Sequence, residues 1–197
     1  MNTTKLNKTY DLIDQANAED PNQEMVKSKA LPKELIYGRR MTQMLIDYVR
    51  APSLALLIAT RAQHICRWQI PRSRYPKDRV GYLQWREDLK KFHADKTSSL
   101  LHQLDYDADT IQRVSFLLQK KQLKKDWEVQ LLEDVACLVF LRYYAEDFIH
   151  KHTDEKVVSI LKKTWKKMSE KARKKAIEFN YSSPLNQLLK EALEQNS

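Results

Sequence analysis

The chain is poor in glycine, with 2 among 197 residues, and it has 6 prolines. This composition excludes turn-rich β-sandwiches and folds that depend on a glycine phosphate loop. The two cysteines, Cys66 and Cys137, lie far apart without metal-type spacing, which favours a reducing cytoplasmic setting over a disulfide framework. No apolar run approaches the roughly 18 residues of a membrane helix, and the N-terminal residues lack the apolar segment of an export signal. We therefore expect neither membrane spanning nor export.

The sequence does contain hydrophobic spacing that is typical of helices. Hydrophobic residues make up 42% of the chain and charged residues 31%, which is enough apolar surface for a core. No stretch keeps the strict alternation of a strand. We predict a single all-α domain over residues 1–197. The predicted helices cover residues 5–18, 32–50, 53–67, 82–104, 108–121, 126–151, 154–166, 169–180 and 183–195. Segments 53–67 and 126–151 are apolar around most of their circumference, which indicates two central buried helices.

The net charge of +9 is concentrated in two parts of the chain. Residues 151–175 contain 10 Lys or Arg against 3 Asp or Glu, and residues 64–90 contain 7 against 3. Two positive zones suggest an anionic partner: a phosphorylated small molecule, RNA or an acidic protein. For the lysine-rich stretch 151–175, a solvated helix face is the better interpretation.

The segment from Arg67 to Arg86 interleaves basic and aromatic residues around Pro71 and Pro76. Guanidinium groups match the geometry of phosphate, and aromatic rings offer a stacking face for a base. The segment therefore predicts binding of phosphate or a nucleotide. The candidate binding residues are Arg67, Trp68, Arg72, Arg74, Tyr75, Lys77 and Arg79. The alternative is an arginine-rich surface loop that is pinned by its aromatic residues.

Asp134 projects from the apolar stripe of the helix predicted at 126–151, and Glu133 lies beside it. A buried carboxylate costs several kcal/mol unless it is paired or bound to a metal, so Asp134 needs a partner. The partner is either a metal ion or a buried arginine, for which the candidates are Arg39, Arg40 and Arg61.

Two histidines lie where a cleft would form. His64 ends the buried segment 53–67 and enters the basic loop, and His93 lies on an apolar-to-polar boundary of the helix predicted at 82–104. Taken alone, each is more typical of a core residue than of a ligand.

Five phrases carry a resemblance that covers nearly the whole chain. They are NAEDPN (17–22), PKELIYGRRMT (32–42), RAQHICRWQIPRSRYP (61–76), GYLQWREDLKKFHAD (81–95) and LLEDVACLVFL (131–141). They resemble a bacterial and fungal family of unknown function, DUF4202, whose members are sometimes labelled glutamyl-tRNA synthetase. KMSEK (167–171) is similar to the nucleotide-binding loop of class I synthetases. A synthetase is not expected, because the chain is short and lacks both a HIGH-like motif and a βαβ pattern.

The order of helices also resembles the HD phosphohydrolase superfamily, all-α metal-dependent enzymes that cleave phosphate esters. The resemblance implies that His64, His93 and Asp134 hold a divalent metal ion. It further implies that Glu133 and Asp134 are the catalytic acids, with Glu133 orienting or deprotonating the attacking water.

The chain departs from the superfamily pattern at two ligand positions. Ile65 stands where an Asp is expected, and Arg39 and Arg40 lie near the position of the first His. If Arg39 or Arg40 pairs with Asp134 in place of a metal, the site binds a phosphorylated ligand without hydrolysing it.

Three functions follow from these patterns. The first is a metal-dependent phosphohydrolase that acts on a nucleotide or a related phosphate ester. The second is a non-catalytic module that binds a nucleotide or RNA, with Arg39 and Arg40 among its phosphate-binding residues. The third is an interaction protein whose basic face at 151–175 docks an acidic partner. The pair of His64 and Asp134 favours a ligand-binding site over the third function.

Overall fold

The computed structural model describes residues 3–194, which form ten α-helices and one antiparallel hairpin. The helices are α1 (Thr3–Ala18), α2 (Lys33–Tyr48), α3 (Leu54–Arg61), α4 (Arg79–Gln103), α5 (Ala108–Gln119), α6 (Trp127–Tyr143), α7 (Ala145–Ile149), α8 (Asp154–Lys167), α9 (Glu170–Ile177) and α10 (Ser183–Glu194). The all-α fold class is therefore confirmed. Position 195, the predicted last residue of the final helix, lies outside the described residues.

The hairpin contradicts the expectation that the chain has no strands. Strand β1 (Gln23–Val26) pairs with β2 (Lys29–Pro32), and Val26 lies opposite Lys29. The two turn residues, Lys27 and Ser28, have φ values of 47° and 66°, as a tight two-residue hairpin turn requires. The sequence pattern missed the hairpin because four-residue strands are too short for alternation and the turn contains neither glycine nor asparagine.

Backbone contacts divide the chain into two compact units, one up to Leu123 and one from Lys124 onward. In the first unit, α1 packs against α2, α3 and α4, while α5 packs against both α3 and α4. Its core includes Ile13, Met41, Leu45, Leu56, Ile58, Leu101 and Leu117, all nearly inaccessible to solvent. This division does not test the prediction of a single domain, which stays a prediction.

The buried helix predicted at 53–67 is too long. Helix α3 begins after Ser53, whose hydroxyl accepts a hydrogen bond from the amide of Leu56, and it ends at Arg61. Residues 62–66 form a turn that ends with Cys66 in the left-handed conformation, at φ 50°. A buried long-range bond replaces the helical pattern there, because the amide of Cys66 donates to Oδ1 of Asn17 at 2.9 Å. Residues 62–78, which include His64, therefore lie outside any α-helix.

The loop between α3 and α4, residues 62–78, is stabilised by hydrogen bonds from its own Arg72 and from Trp85 of α4. It contains two short 3₁₀ turns, Arg67–Gln69 and Arg72–Arg74. The guanidinium of Arg72 donates to the carbonyl oxygens of Tyr75 and Pro76 at 2.9 and 2.6 Å. The indole N–H of Trp85 donates to the carbonyl of Ile70 at 2.8 Å. These hydrogen bonds fix the shape of the loop.

In the second unit, α6 packs against α7, α8 and α9, and α8 packs against α10. Helix α6 buries Val129, Leu132, Val135 and Leu138 completely, which confirms that this segment is central to a core. The prediction of one continuous helix over 126–151 is wrong, because Tyr144 leaves helical geometry at φ −125° and ψ −19°. Within residues 3–194, no helix has the length and apolar character needed to cross a membrane.

Candidate functional site

His64 lies at the centre of a group of polar and aromatic side chains in the first unit. Its Nδ1 is 3.1 Å from Oε2 of Glu34, and its Nε2 is 3.5 Å from Nη1 of Arg67. The ring of Tyr37 stacks on the imidazole, with centroids 3.9 Å apart and planes within 9°. The ring of His93 lies 5.9 Å away. We call Glu34, Tyr37, His64, Arg67 and His93 the His64 cluster.

Two buried residues, Asn17 and Asp20, form hydrogen bonds at the start of α2, and Asn17 also binds the turn after α3. Oδ2 of Asp20 accepts a hydrogen bond from the amide of Glu34 at 3.0 Å, which satisfies one free donor at the start of α2. Asn17 accepts from the amide of Cys66 and donates to the carbonyl of Glu34 at 3.4 Å. The phrase NAEDPN therefore contributes positioning residues, which hold Glu34 and His64 at their observed separation.

Glu34 is an unusually basic carboxyl group. Burial raises its pKa from 4.5 to about 7, and the nearby positive charges of Arg67 and Lys33 oppose this rise only partly. The residue is 7% exposed, so water does little to stabilise its charge. Near neutral pH, Glu34 is therefore divided between its protonated and ionised forms.

Both imidazoles of the cluster are uncharged at neutral pH. Burial holds the pKa of His64 well below its usual value, and the charges of Arg67, Lys120, Arg86 and Lys33 lower it further. The same burial effect lowers the pKa of His93 well below the ordinary range. The side chain of His64 still keeps 23% of its surface exposed, so a ligand can reach it.

The contacts of His64 determine which ring nitrogen carries the proton. A guanidinium can only donate, so Nε2 of His64 is the acceptor of the contact with Arg67. We therefore assign the ring proton to Nδ1, from which it is donated to Glu34. A carboxylate that orients a neutral imidazole, with the lone pair of Nε2 beside a cation, is a geometry suited to proton transfer next to a bound anion.

Of the residues predicted from the sequence, the structure brings His64, Arg67 and His93 together. Arg39 pairs with Asp14, at 3.0 Å. The other predicted phosphate-binding residues are placed as follows: Arg40 forms an ion pair with Glu24, Arg72 binds loop carbonyl groups, the hydroxyl of Tyr75 donates to Asp88, Trp68 is half-buried, and Arg74, Lys77 and Arg79 are exposed.

Asp134 lies in the second unit and is 1% exposed. Its Oδ1 accepts from the amide of Ser169 at 2.8 Å and from the side chain of Gln130 at 2.9 Å, and its Oδ2 accepts from the hydroxyl of Ser169 at 2.5 Å. Ser169 is the residue that caps α9. Nearby, Oε1 of Glu133 is 3.2 Å from Nζ of Lys167. The contacts of Asp134 therefore hold the start of α9, while Glu133 pairs with the last residue of α8.

The donor set of the His64 cluster suits an anion better than a divalent metal. Over residues 3–194, no group of three or more His, Cys, Asp or Glu side chains is arranged to hold a metal ion. The guanidinium of Arg67 lies against Nε2 of His64, while the carboxylate of Glu34 is bound at the opposite nitrogen, Nδ1. A second cation at Nε2 would be repelled by Arg67. The divalent metal stays a prediction.

The sequence patterns missed Glu34 and Tyr37 as site residues. The two are three positions apart at the start of α2, so they lie on the same face of the helix. In the sequence, both residues lie within PKELIYGRRMT, one of the five phrases that carry the family resemblance. An acidic residue in the first turn of a helix is common for electrostatic reasons, however, so it does not by itself indicate a site.

Comparison with known proteins gives one match. A family model described as "Domain of unknown function (DUF4202)" matches residues 7–189, which extend from α1 into α10. No curated protein matches the sequence, and no solved structure matches it. The resemblance to this family is thereby confirmed. The likeness to the HD superfamily stays a prediction, and the match lends no support to the synthetase label, which the sequence did not favour.

Proposed function

The chain belongs to the DUF4202 family, whose description names no activity, and we propose that it binds a phosphorylated small molecule at the His64 cluster. The ligand class is a nucleotide or a related phosphate ester. The observation that carries this proposal is the position of Arg67, whose guanidinium lies 3.5 Å from the neutral imidazole of His64. A guanidinium presents several N–H donors in a planar arrangement that matches phosphate oxygens.

The charge around the cluster supports an anionic ligand. Arg67, Lys120, Arg86 and Lys33 all lie close enough to His64 to lower its pKa. The carboxyl group of Glu34 opposes them, but it is only partly ionised near neutral pH. Because the cluster is largely shielded from water, the resulting positive potential is stronger than the same charges would create at the surface.

Aromatic rings beside Arg67 favour a nucleotide over other phosphate esters as the ligand. The guanidinium of Arg67 lies 4.7 Å from the ring centroid of Trp85, and Tyr82 lies 6.0 Å from the same ring. Tyr82 is 41% exposed, so part of its side chain is accessible to a ligand. An exposed aromatic face stacks on any base with little dependence on sequence.

The proposal is tested by calorimetric titration with adenosine 5′-monophosphate. We expect Arg67→Gln to weaken binding by at least about tenfold, because a charge-assisted hydrogen bond contributes roughly 1.5–3 kcal/mol. The matched control is Arg50→Gln, which removes the same charge from an exposed residue after α2. Equal affinity in the wild type and in Arg67→Gln, or an equal loss in the control, contradicts the proposal.

A phosphohydrolase is the second candidate function, and the contact between Glu34 and His64 favours it. With its proton on Nδ1, His64 would accept a proton from an attacking water at Nε2 once the water replaces the guanidinium of Arg67, which lies 3.5 Å from that nitrogen. The water oxygen would bond to phosphorus as the ester P–O bond breaks. The proton would then pass from Nε2 to the oxygen of the leaving alcohol. This scheme uses the residues of the cluster itself. The metal-dependent scheme with His64, His93 and Asp134 is the alternative form of the same activity.

Hydrolysis and binding are separated by measuring both in one variant. For a hydrolase, His64→Gln loses turnover of p-nitrophenyl phosphate by at least about a hundredfold, the usual contribution of a general base. Binding of adenosine 5′-monophosphate to the same variant shows whether the site is retained. If wild-type protein binds the nucleotide and releases no phosphate, the binding function alone stands.

A further inference from the structure

Two large aliphatic side chains are exposed side by side at the start of α4. Val80 is 73% exposed, the highest value of any large apolar side chain in residues 3–194, and Leu83 is 51% exposed. The two residues are three positions apart on the helix, so they are neighbours on the same face. Single exposed apolar residues are common in proteins, but adjacent ones indicate a surface that binds a partner.

The chain around these aliphatic residues carries unpaired positive charge. Three exposed cations have side chains that form no hydrogen bond or ion pair within residues 3–194, and they are Arg74, Lys77 and Arg79. The acid among them, Asp78, accepts a hydrogen bond from the amide of Gly81 at 2.7 Å and so caps α4. The next acid on the same helix, Glu87, pairs with Lys90. The exposed face is therefore both positive and apolar.

Close packing holds the loop against the first turn of α4. Gly81 lies so near Pro76 that a Cβ atom on the glycine would be 2.4 Å from the carbonyl oxygen of the proline. The guanidinium of Arg72 donates to that carbonyl and to the carbonyl of Asp78, at 2.6 and 3.3 Å. The backbone of Lys77, between these two anchored residues, is therefore fixed beside the turn that carries the exposed aliphatic residues.

We propose that this face binds the surface of an anionic lipid bilayer. We call it the α4 surface, and its residues are Arg74, Lys77, Arg79, Val80 and Leu83. At a bilayer surface, aliphatic side chains enter the boundary between headgroups and acyl chains, while lysine and arginine bind anionic headgroups. Such binding needs no helix that crosses the bilayer. The inference goes beyond the proposed function and does not depend on it.

The aliphatic residues favour a bilayer over other anionic partners. Single-stranded nucleic acid is bound by cations and by aromatic rings that stack on its bases, and Val80 and Leu83 offer neither contact. A stable protein interface uses about 20–30 residues on each side, whereas the α4 surface is one helical turn and its preceding loop. A bilayer matches both the charge and the apolar character of this small surface.

The proposal is tested by sedimentation of the protein with lipid vesicles. One set of vesicles is phosphatidylcholine, and the other is an equimolar mixture of phosphatidylcholine and phosphatidylserine. We expect the wild type to bind the anionic vesicles at least about tenfold more tightly than the neutral ones, because each cation near an anionic surface adds to the affinity. Melting temperatures close to that of the wild type show that the variants below are folded.

The apolar contribution is tested with one matched pair of variants. Leu83→Gln should weaken binding to the anionic vesicles by about fivefold, because glutamine gains no free energy from entering the apolar boundary. Ile46→Gln is the control, since Ile46 is an aliphatic residue on α2 with nearly the same exposure, 54%. The control should change the affinity by less than about twofold, because it lies outside the α4 surface.

The charge contribution is tested with a second matched pair. Lys77→Gln combined with Arg79→Gln should weaken binding to the anionic vesicles by at least about tenfold. Lys8→Gln combined with Lys29→Gln removes the same charge from exposed residues elsewhere in the first unit. This control should keep the affinity within about twofold, because salt screens charges that are distant from the bilayer.

Each outcome decides for or against the bilayer. The proposal is overturned if the wild type binds neither set of vesicles, if it binds both sets equally, or if Leu83→Gln and Ile46→Gln have the same effect. A single-stranded RNA oligonucleotide is titrated in parallel. If the double variant at Lys77 and Arg79 loses RNA binding while Leu83→Gln leaves vesicle binding unchanged, the surface binds nucleic acid, and the proposal is wrong.

Discussion

Glu34 offers a direct test of the electrostatics of the His64 cluster, through the substitution Glu34→Gln. The glutamine has nearly the same shape, its side-chain oxygen can still accept a hydrogen bond from Nδ1 of His64, and it is neutral at every pH. The substitution therefore isolates the cost of ionising a buried carboxyl group. It leaves the packing at the start of α2 in place.

The expected size follows from the pKa of Glu34. Burial raises this pKa from 4.5 to about 7, so the folded protein holds the proton to a higher pH than the unfolded chain does. The carboxyl group is therefore most favourable to folding below pH 4.5, and this contribution is lost as the pH rises through 7. Each pKa unit corresponds to about 1.4 kcal/mol, so the whole loss is about 3 kcal/mol.

The assay is urea unfolding of the wild type and of Glu34→Gln at pH 5, 6, 7 and 8. We expect the variant to gain stability relative to the wild type, and the gain to grow by about 2 kcal/mol between pH 5 and pH 8. Comparing two proteins at each pH removes the contributions of the other titrating groups. These include His64 and His93, whose lowered pKa values reduce stability below about pH 6.5.

The matched control is Glu87→Gln on α4, where the side chain is 61% exposed and pairs with Lys90. Its effect should stay within about 0.5 kcal/mol across the pH range, as for other surface pairs. A difference between wild type and Glu34→Gln that is the same at pH 5 and pH 8 would refute the reasoning. A variant that is less stable at pH 8 would show that the neighbouring cations outweigh the cost of burial.

Two further substitutions test buried hydrogen bonds, one in each unit. Asn17→Ala should lower the free energy of unfolding by about 2 kcal/mol, because it leaves the buried amide of Cys66 without an acceptor. Asn186→Ala, on an exposed amide, is the control, and equal losses would contradict the positioning role of Asn17. Asp134→Asn should also cost about 2 kcal/mol, because an amide nitrogen replaces an acceptor oxygen at the start of α9. If phosphohydrolase activity exists and is abolished in an Asp134→Asn protein that retains full stability, the metal-dependent scheme gains support.

Helix starts were predictable from the sequence because their causes are local. Asp107 directly precedes the helix predicted at 108–121, and its carboxylate accepts from the amide of Thr110 at 2.7 Å. Ser169 was expected to begin a helix, and its hydroxyl accepts from the amide of Ala172. In both cases, the capping residue and the amide that it binds are three positions apart, so the pattern is visible in the sequence itself.

Helix ends and the break after α6 could not be predicted in the same way. The apolar spacing of 53–67 continues past Arg61, but the chain turns there because Cys66 binds Asn17, which is 49 positions away. Hydrophobic periodicity shows which residues are suited to a core. It does not show which polar groups will meet after folding.

The same distinction applies to the candidate site. Residue types and their spacing were enough to predict an all-α fold, a basic and aromatic loop, and the candidates His64, Arg67 and His93. The contact of His64 with Glu34, from 30 positions earlier, and the hydrogen bonds that Asp134 accepts from Ser169 depend on how the chain folds. The physical reason is that the role of an ionisable side chain depends on the partner and the burial that the fold provides. Neither of these is encoded by its immediate neighbours in the sequence.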